Sequence, residues 1–254
     1  MGDFSFAGEH SIAYHVRLLK SPGSILPGTR DKVITMPGRH GALRMIPDLG
    51  ERILQPECWL ESSTMTQLHE RLDRVRAWLN PLRGAQQLIF DDVPDRYYMA
   101  AYAGGGLDAE VTARQGMFTV DFICSDPFAY ALTPDTVTIT ASPYQHNQRG
   151  MAPADPLLKL QGVSTGTGGQ QISIVIGAQT VTYRGALAAG NWLEIDCAAK
   201  TAVRVVGQAR TRVLHLLEKP VFPQLAPGVN TITVTVAGGA SWSKLEIHSR
   251  NRWL

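Results

Sequence analysis

From residue 136 onward the chain is written almost wholly in short strand-like apolar runs, most of them alternating: TVTIT, PLLKLQ, QISIVI, QTVTYR, NWLEIDC, AVRVV, RVLHLL, NTITVTV and KLEIH. Gly, Asn and Pro stand between them at roughly the spacing of a sandwich. Alternation of this kind sends every second side chain to one face, so each run reads as a strand with one buried side. No helical pattern interrupts the series and no internal repeat is visible. This half is therefore predicted to be an antiparallel β-sandwich.

The first half is more varied. Residues 1 to 60 alternate short apolar runs with SPGSILPG, MPGRHG and IPDLG, punctuation that breaks strands into short pieces joined by turns and extended arms. One segment is helical. From Thr64 to Leu79 the apolar residues Met65, Leu68, Leu72, Val75 and Leu79 recur at steps of three and four, with Glu70, Arg71, Asp73, Arg74 and Arg76 off that stripe. Thr64 and Gln67 have capping-box spacing, and Asn80-Pro81 ends the helix, because proline disfavours a helical residue before it. Two heptads are too few for a coiled-coil seam, so the stripe is expected to pack on a sheet. After it QQLIF and RYYMAAY read as strands, GGG as a joint, and LDAEVTA with MFTVDFIC as a hairpin pair whose Phe118, Val120, Phe122 and Cys124 share one face.

Charge locates the boundary between the halves. Up to Tyr130 there are 13 Lys and Arg against 16 Asp and Glu, a balance of −3; the remainder has 11 against 6, a balance of +5, and the two sum to the +2 of the whole chain. Domains are accordingly expected at 1–132 and 133–254. Neither half has the clustered cations and interleaved aromatics of a nucleic-acid footprint. A composition 44% hydrophobic and 18% charged suits a globular chain with a core. No apolar run nears the ~18 residues that a membrane helix needs, and MGDFSFAGEH lacks the features of a signal peptide, so neither membrane insertion nor secretion is expected and the chain is placed in the cytoplasm. Cys58, Cys124 and Cys197 are odd in number, far apart and set in apolar runs, and read as buried thiols.

The densest chemistry is FDDVPDRYY, Phe90 to Tyr98, with Asp91, Asp92 and Asp95 within five residues. It lacks the glycine-centred spacing of a calcium loop, and Pro94 with Asp95 is turn chemistry, so the acids are expected to be local hydrogen-bond acceptors while Phe90 and Tyr97 or Tyr98 enter the core. GTGGQQ at 166–171 has Gln171 where a dinucleotide loop needs its last glycine, and no helix follows. No HExxH, GxSxG or phosphate-loop motif is present, so no catalytic residue, metal or cofactor is proposed and the chain is not expected to be an enzyme.

Taken in order, VITMPGRHGAL, a helix ending in WLN, IFDDVPDRYYMAAY, a glycine joint and GMFTVDFICSDPFAY resemble the amino-terminal domain of the siphophage distal tail protein (Dit) family. NWLEIDCAAKTAVRVVGQ, FPQLAPGVNTITVTV and a terminal RNRWL resemble that family's carboxy-terminal galectin-like or carbohydrate-module-like sandwich, a jelly roll. The resemblance implies a mainly β protein: a sandwich-type ring-forming domain with one α-helix, followed by a galectin-like β-sandwich. It also implies a virion structural protein of a siphophage or prophage. In that family a homo-hexameric ring at the tail tip joins the tail tube protein to the baseplate hub or tail-tip protein and to receptor-binding proteins. Assembly takes place in the host bacterial cytoplasm, and DNA passes through the channel without specific binding. By the same resemblance Met36, Pro37, Gly38, Arg39 and Gly41 form an arm reaching the next subunit, where Arg39 would meet a carboxylate.

Two rival readings concern the second half. A carbohydrate-binding module for host-surface glycan would present Trp192 and Trp242 to sugar rings. The HNQR stretch at His146 to Arg149 and WLE at Trp192 to Glu194 share residue types with galectin sites but not their spacing. A glycan hydrolase would need two positioned acids, and Asp196 lies within a strand beside Cys197.

Overall fold

In a computed structural model of the chain, residues 2–22, 26–103, 110–112 and 115–254 are described. Backbone contacts group Met1–Leu132 and Leu254 into one compact unit and Thr133–Trp253 into a second. The chain is mostly strand, with one α-helix among the described residues.

In the first unit the strands are β1 (Phe4–Phe6), β2 (Val16–Lys20), β3 (Thr29–Arg30), β4 (Val33–Ile34), β5 (Leu43–Arg44), β6 (Asp48–Leu49), β7 (Arg52–Leu54) and β8 (Glu57–Glu61). After helix α1 (Met65–Trp78) come β9 (Gln86–Phe90), β10 (Arg96–Tyr102), β11 (Gln115–Thr119), β12 (Phe122–Cys124) and β13 (Ala129–Ala131). One sheet runs Glu9–His10, β1, β9, β10, β12, β7, with β13 also on β10; another runs Glu110–Thr112, β11, β8, β2. All of these pairs are antiparallel. Phe4, Phe6, Leu88, Phe90 and Phe122 from the first sheet meet Val16, Leu18, Cys58, Leu60 and Phe118 from the second in a single buried cluster, joined by Leu68, Leu72, Val75 and Trp78 of α1.

The helix begins where the capping spacing places it, with Thr64 Oγ1 accepting from Gln67 N at 3.2 Å, and it closes at Leu79. Met65, counted on the stripe, is 44% exposed in the first turn. Its share of the core is taken by Trp78, which lies a step of three beyond Val75 but was not counted on the stripe. Trp78 is 1% exposed, stacks between Phe4 at 5.6 Å and Tyr14 at 4.5 Å, and donates from Nε1 to Phe6 O at 3.1 Å. Met-Phe-Thr-Val-Asp-Phe-Ile-Cys is not one strand. β11 serves the second sheet and β12 the first, so Phe118, Val120, Phe122 and Cys124 are all buried although their strand changes sheets between them. The hairpin partner Glu110–Thr112 is present on β11, while the GGG joint and Arg114 lie outside the described residues.

The second unit has β14 (Asp135–Ile139), β15 (Tyr144–Gln148), β16 (Leu157–Thr165), β17 (Gln171–Ile176), β18 (Gln179–Tyr183), β19 (Trp192–Asp196), β20 (Thr201–Val206), β21 (Ala209–Arg212), β22 (Gly228–Ala237) and β23 (Ser241–Ser249). One sheet has the order β14-β23-β16-β19-β20-β21, the other β15-β22-β17-β18. Leu158, Leu160, Leu193, Ile195, Leu245 and Ile247 of the first face Ile172, Ile174, Ile176, Val181, Ile232 and Val234 of the second, giving the dry interior of a β-sandwich. RVLHLL departs from the strand expectation: Leu214–Leu216 is a single 3-10 turn, and it lays Val213 and Leu217 into the core. The stretch between residues 130 and 156 contains the strands β14 and β15.

One end of this sandwich is polar. Asn251, 1% exposed, accepts from Arg149 N and Gly150 N and donates to Asp135 at 3.0 Å. Beside it His146 is buried, and loss of hydration pushes its pKa below the ordinary 6.5 against the opposing pull of Asp135. A base whose folded pKa is depressed binds fewer protons in the native than in the unfolded state below about pH 6.5, so its contribution is present above that value and lost as pH falls through the folded pKa. Thermal melts should therefore show a midpoint falling between pH 7 and pH 5.5, and His146→Gln should flatten that slope. Equal slopes in the two proteins would contradict the assignment.

Candidate assembly interface

The sequence from 29 to 49 leaves the body of the first unit as a two-stranded hairpin. β3 pairs with β6 (Thr29 with Leu49) and β4 with β5 (Val33 with Arg44, Ile34 with Leu43), while Met45 N donates to Lys32 O. At its base Gly50 N donates to Gly28 O at 2.6 Å, and at its tip Arg39 N donates to Met36 O. Gly38 and Gly41 hold φ of 79° and 84°, backbone that a side chain disfavours, and this is why the reversal is written PGRHG. Met36, Pro37, Gly38, Arg39 and Gly41 are thus brought together at the tip, all exposed.

What the turn signals did not reveal is that the shaft has an apolar side and a charged one. Directly opposed residues share a face, so Ile34 and Leu43 lie together with Lys32 and Met45, while Val33, Arg44 and Asp31 lie on the other side, where Arg44 pairs with Asp31 at 2.9 Å. Leu43 and Met45 are 43% and 49% exposed, and Ile46, ahead of Pro47, is 94% exposed. Along the chain only Leu43 and Met45 alternate, so the face emerges once the pairing of Ile34 with Leu43 is known.

The carboxylates of FDDVPDRYY act over long range. Val93 N donates to Phe90 O, so the turn is present, but Asp91 Oδ2 accepts from Asp3 N at 2.8 Å and Asp92 Oδ1 from Gly2 N at 3.0 Å. Ser21 also donates to Asp92, and these two donors lower its pKa from the usual carboxylate value. The acids therefore pin the amino-terminal segment beside β9. A Cβ on Gly2 would come within 2.6 Å of Asp91 Cβ. Phe90 enters the core as expected, and of the tyrosines Tyr97 is buried while Tyr98 packs against the cluster and takes a hydrogen bond from Arg52. Among the described residues no three His, Cys, Asp or Glu side chains converge as metal ligands.

Of the two tryptophans considered for sugar stacking, Trp192 is half-buried on the outer face of its sheet, with Lys244 Nζ 4.4 Å from the ring centre. A pyranose on that face would have to displace the ammonium. Trp242 packs against the buried cluster instead. Glu194, with a 12% exposed side chain, is already bound by Lys159 and Arg210. In HNQR, His146 and Gln148 point inward and Arg149 pairs with Asp135.

Residues 14–124 match the family model of the phage tail protein RIFT-related domain. The crystal structure of the SPP1 Dit (gp 19.1) protein, described as a paradigm of the hub adsorption apparatus in phages infecting Gram-positive bacteria, superposes with a TM-score of 0.77 at 16% identity, covering 100% of each chain. The chain has the fold of a phage distal tail protein. The phage P2 baseplate in its activated conformation gives TM-scores of 0.45 with Ca (7% identity, 93% of this chain and 90% of that one) and 0.47 with Sr (7%, 99% and 98%), values too low to add to the Dit match. No curated protein matches the sequence.

Within the Dit fold, core and carboxylate substitutions should separate cleanly. Phe90→Ala should cost roughly 3 to 5 kcal/mol as a large core truncation, whereas Asp91→Asn, which keeps the shape and loses a charge-assisted acceptor, should cost about 1 kcal/mol. Chemical denaturation measures both. A fall in melting temperature on adding a chelator, absent from Asp91→Asn, would instead reveal a metal site.

Proposed function

We propose that this protein is a structural component of a siphophage or prophage tail tip, and that it closes into a hexameric ring joining the tail tube to the baseplate hub. The observation that carries the reading is the hairpin of residues 29–49. A lone two-stranded hairpin is marginal in water and this one exposes Val33, Met36, Leu43, Met45 and Ile46, so its natural state is burial against another molecule. An arm and a receiving surface that differ make a heterologous contact, and identical subunits joined in this way form a ring when the rotation closes.

The Dit fold and the match to a phage tail domain support a tail or baseplate role rather than catalysis. In this reading the first unit lines the ring, and its balance of 13 cations against 16 anions up to Tyr130 avoids attracting DNA passing through the lumen. Receptor-binding proteins would attach to the second unit. The protein is assembled in the host cytoplasm and ends in the virion.

At tens of micromolar, light scattering and negative-stain images should show rings, formed alone or on added tail tube protein. Replacing residues 31–46 by a two-residue Asn-Gly turn should leave a monomer that melts as the parent does. A wild-type protein that stays monomeric with tube protein present would overturn the ring.

A further inference from the structure

The ring reading leaves open where the arm lands, and the first unit carries one surface that fits it. On the outer side of the large sheet, opposite the buried Leu54, Phe122 and Cys124, Ile53 of β7 stands directly across from Ile123 of β12, and Ile123 across from Ala101 of β10. Met99 opposite Gln87 and Ile89 opposite Ser5 continue this face without a charged residue. Ile53 is 46% exposed and Ile123, Ala101, Met99 and Ile89 are partly exposed. Acids bracket the row. By the period of two, Glu51 shares the face of Ile53, and Asp121 shares that of Ile123, where Gln55 Nε2 donates to it at 2.9 Å.

The arm repeats this arrangement with the opposite sign. On its apolar face Ile34 and Leu43 form one row, and Lys32 lies two residues from Ile34, as Glu51 lies two residues from Ile53. Two strand residues span roughly 6.6 Å in either case, so an aliphatic row can meet an aliphatic row while a cation meets an acid. The whole arm has four Lys and Arg (Arg30, Lys32, Arg39, Arg44) against two Asp (Asp31, Asp48), a net +2.

Resting on the ring reading, we propose that the apolar face of each arm docks on the Ile53–Ile123–Ala101 face of a second copy of this chain, with Lys32 set against Glu51 or Asp121. The contact is heterologous, since arm and face are different surfaces of one chain, and it covers the only strongly apolar side of the hairpin shaft. Burial of Leu43, Met45 and Ile53 supplies the affinity, and the bracketing charges fix the register.

Met45→Cys and Ile53→Cys, made separately, mixed before assembly and oxidised, should yield disulfide-linked dimers that neither variant forms alone. Cys58, Cys124 and Cys197 will not compete, because burial pushes their pKa up to about 12. Ile53→Asp should abolish rings while keeping its melting midpoint within about 2 °C of wild type, as befits an exposed position. Rings from Ile53→Asp, or an assembled mixture without the mixed disulfide, would overturn this docking place and leave the ring standing. A wild-type chain that forms no ring even with tube protein would overturn both.

Discussion

The first unit is organised by the indole of Trp78. Its ring lies between Phe4 and Tyr14, and its Nε1 bonds to the carbonyl of Phe6, so a helix end, the first strand and the 3-10 turn of Ser11–Tyr14 are locked by a single side chain. Aromatic stacking with a buried polar tip satisfied by backbone combines large burial with fixed direction. Around that lock Phe4 and Phe6 meet Phe122, which sets the large sheet against the helix. The opposite face of that sheet, with Ile53 and Ile123, is consequently left outward.

The sequence made some of this legible and hid the rest for physical reasons. Period-two runs identified the sandwich of the second unit because each strand has one wet and one dry side. RVLHLL failed because a short apolar run carries no period strong enough to separate strand from turn, and the chain there needed only to set down Val213 and Leu217. The helix was found from its stripe and cap, yet Trp78 was missed: a step of three beyond Val75 puts it at the edge of the stripe beside Leu79, and its size carries it into the core.

At the candidate interface the same division holds. Glycine and proline foretold a tight reversal at Met36 to Gly41, because positive φ leaves a mark in residue type. The amphipathic shaft was a matter of pairing register, which joins Ile34 to Leu43 across the turn and cannot be read along one strand. The acids of FDDVPDRYY were expected to serve their own turn. Asp91 and Asp92 instead hold Asp3 and Gly2, some 90 positions away, a contact with no local signature, while Asp95 pairs with its neighbour Arg96.

That long-range clasp has a consequence for synthesis. β1 pairs with β9, Phe4 against Phe90, so during synthesis β1 finds its sheet only after roughly the next hundred residues have followed. Until then Phe4 and Phe6 travel uncovered, and the closure entropy of the intervening loop must be met in one late step. The first unit is thus a body that cannot mature progressively from β1 onward. Its interior and outward sheet face are complete only once β12, with Phe122 and Ile123, has followed the strand around Phe90.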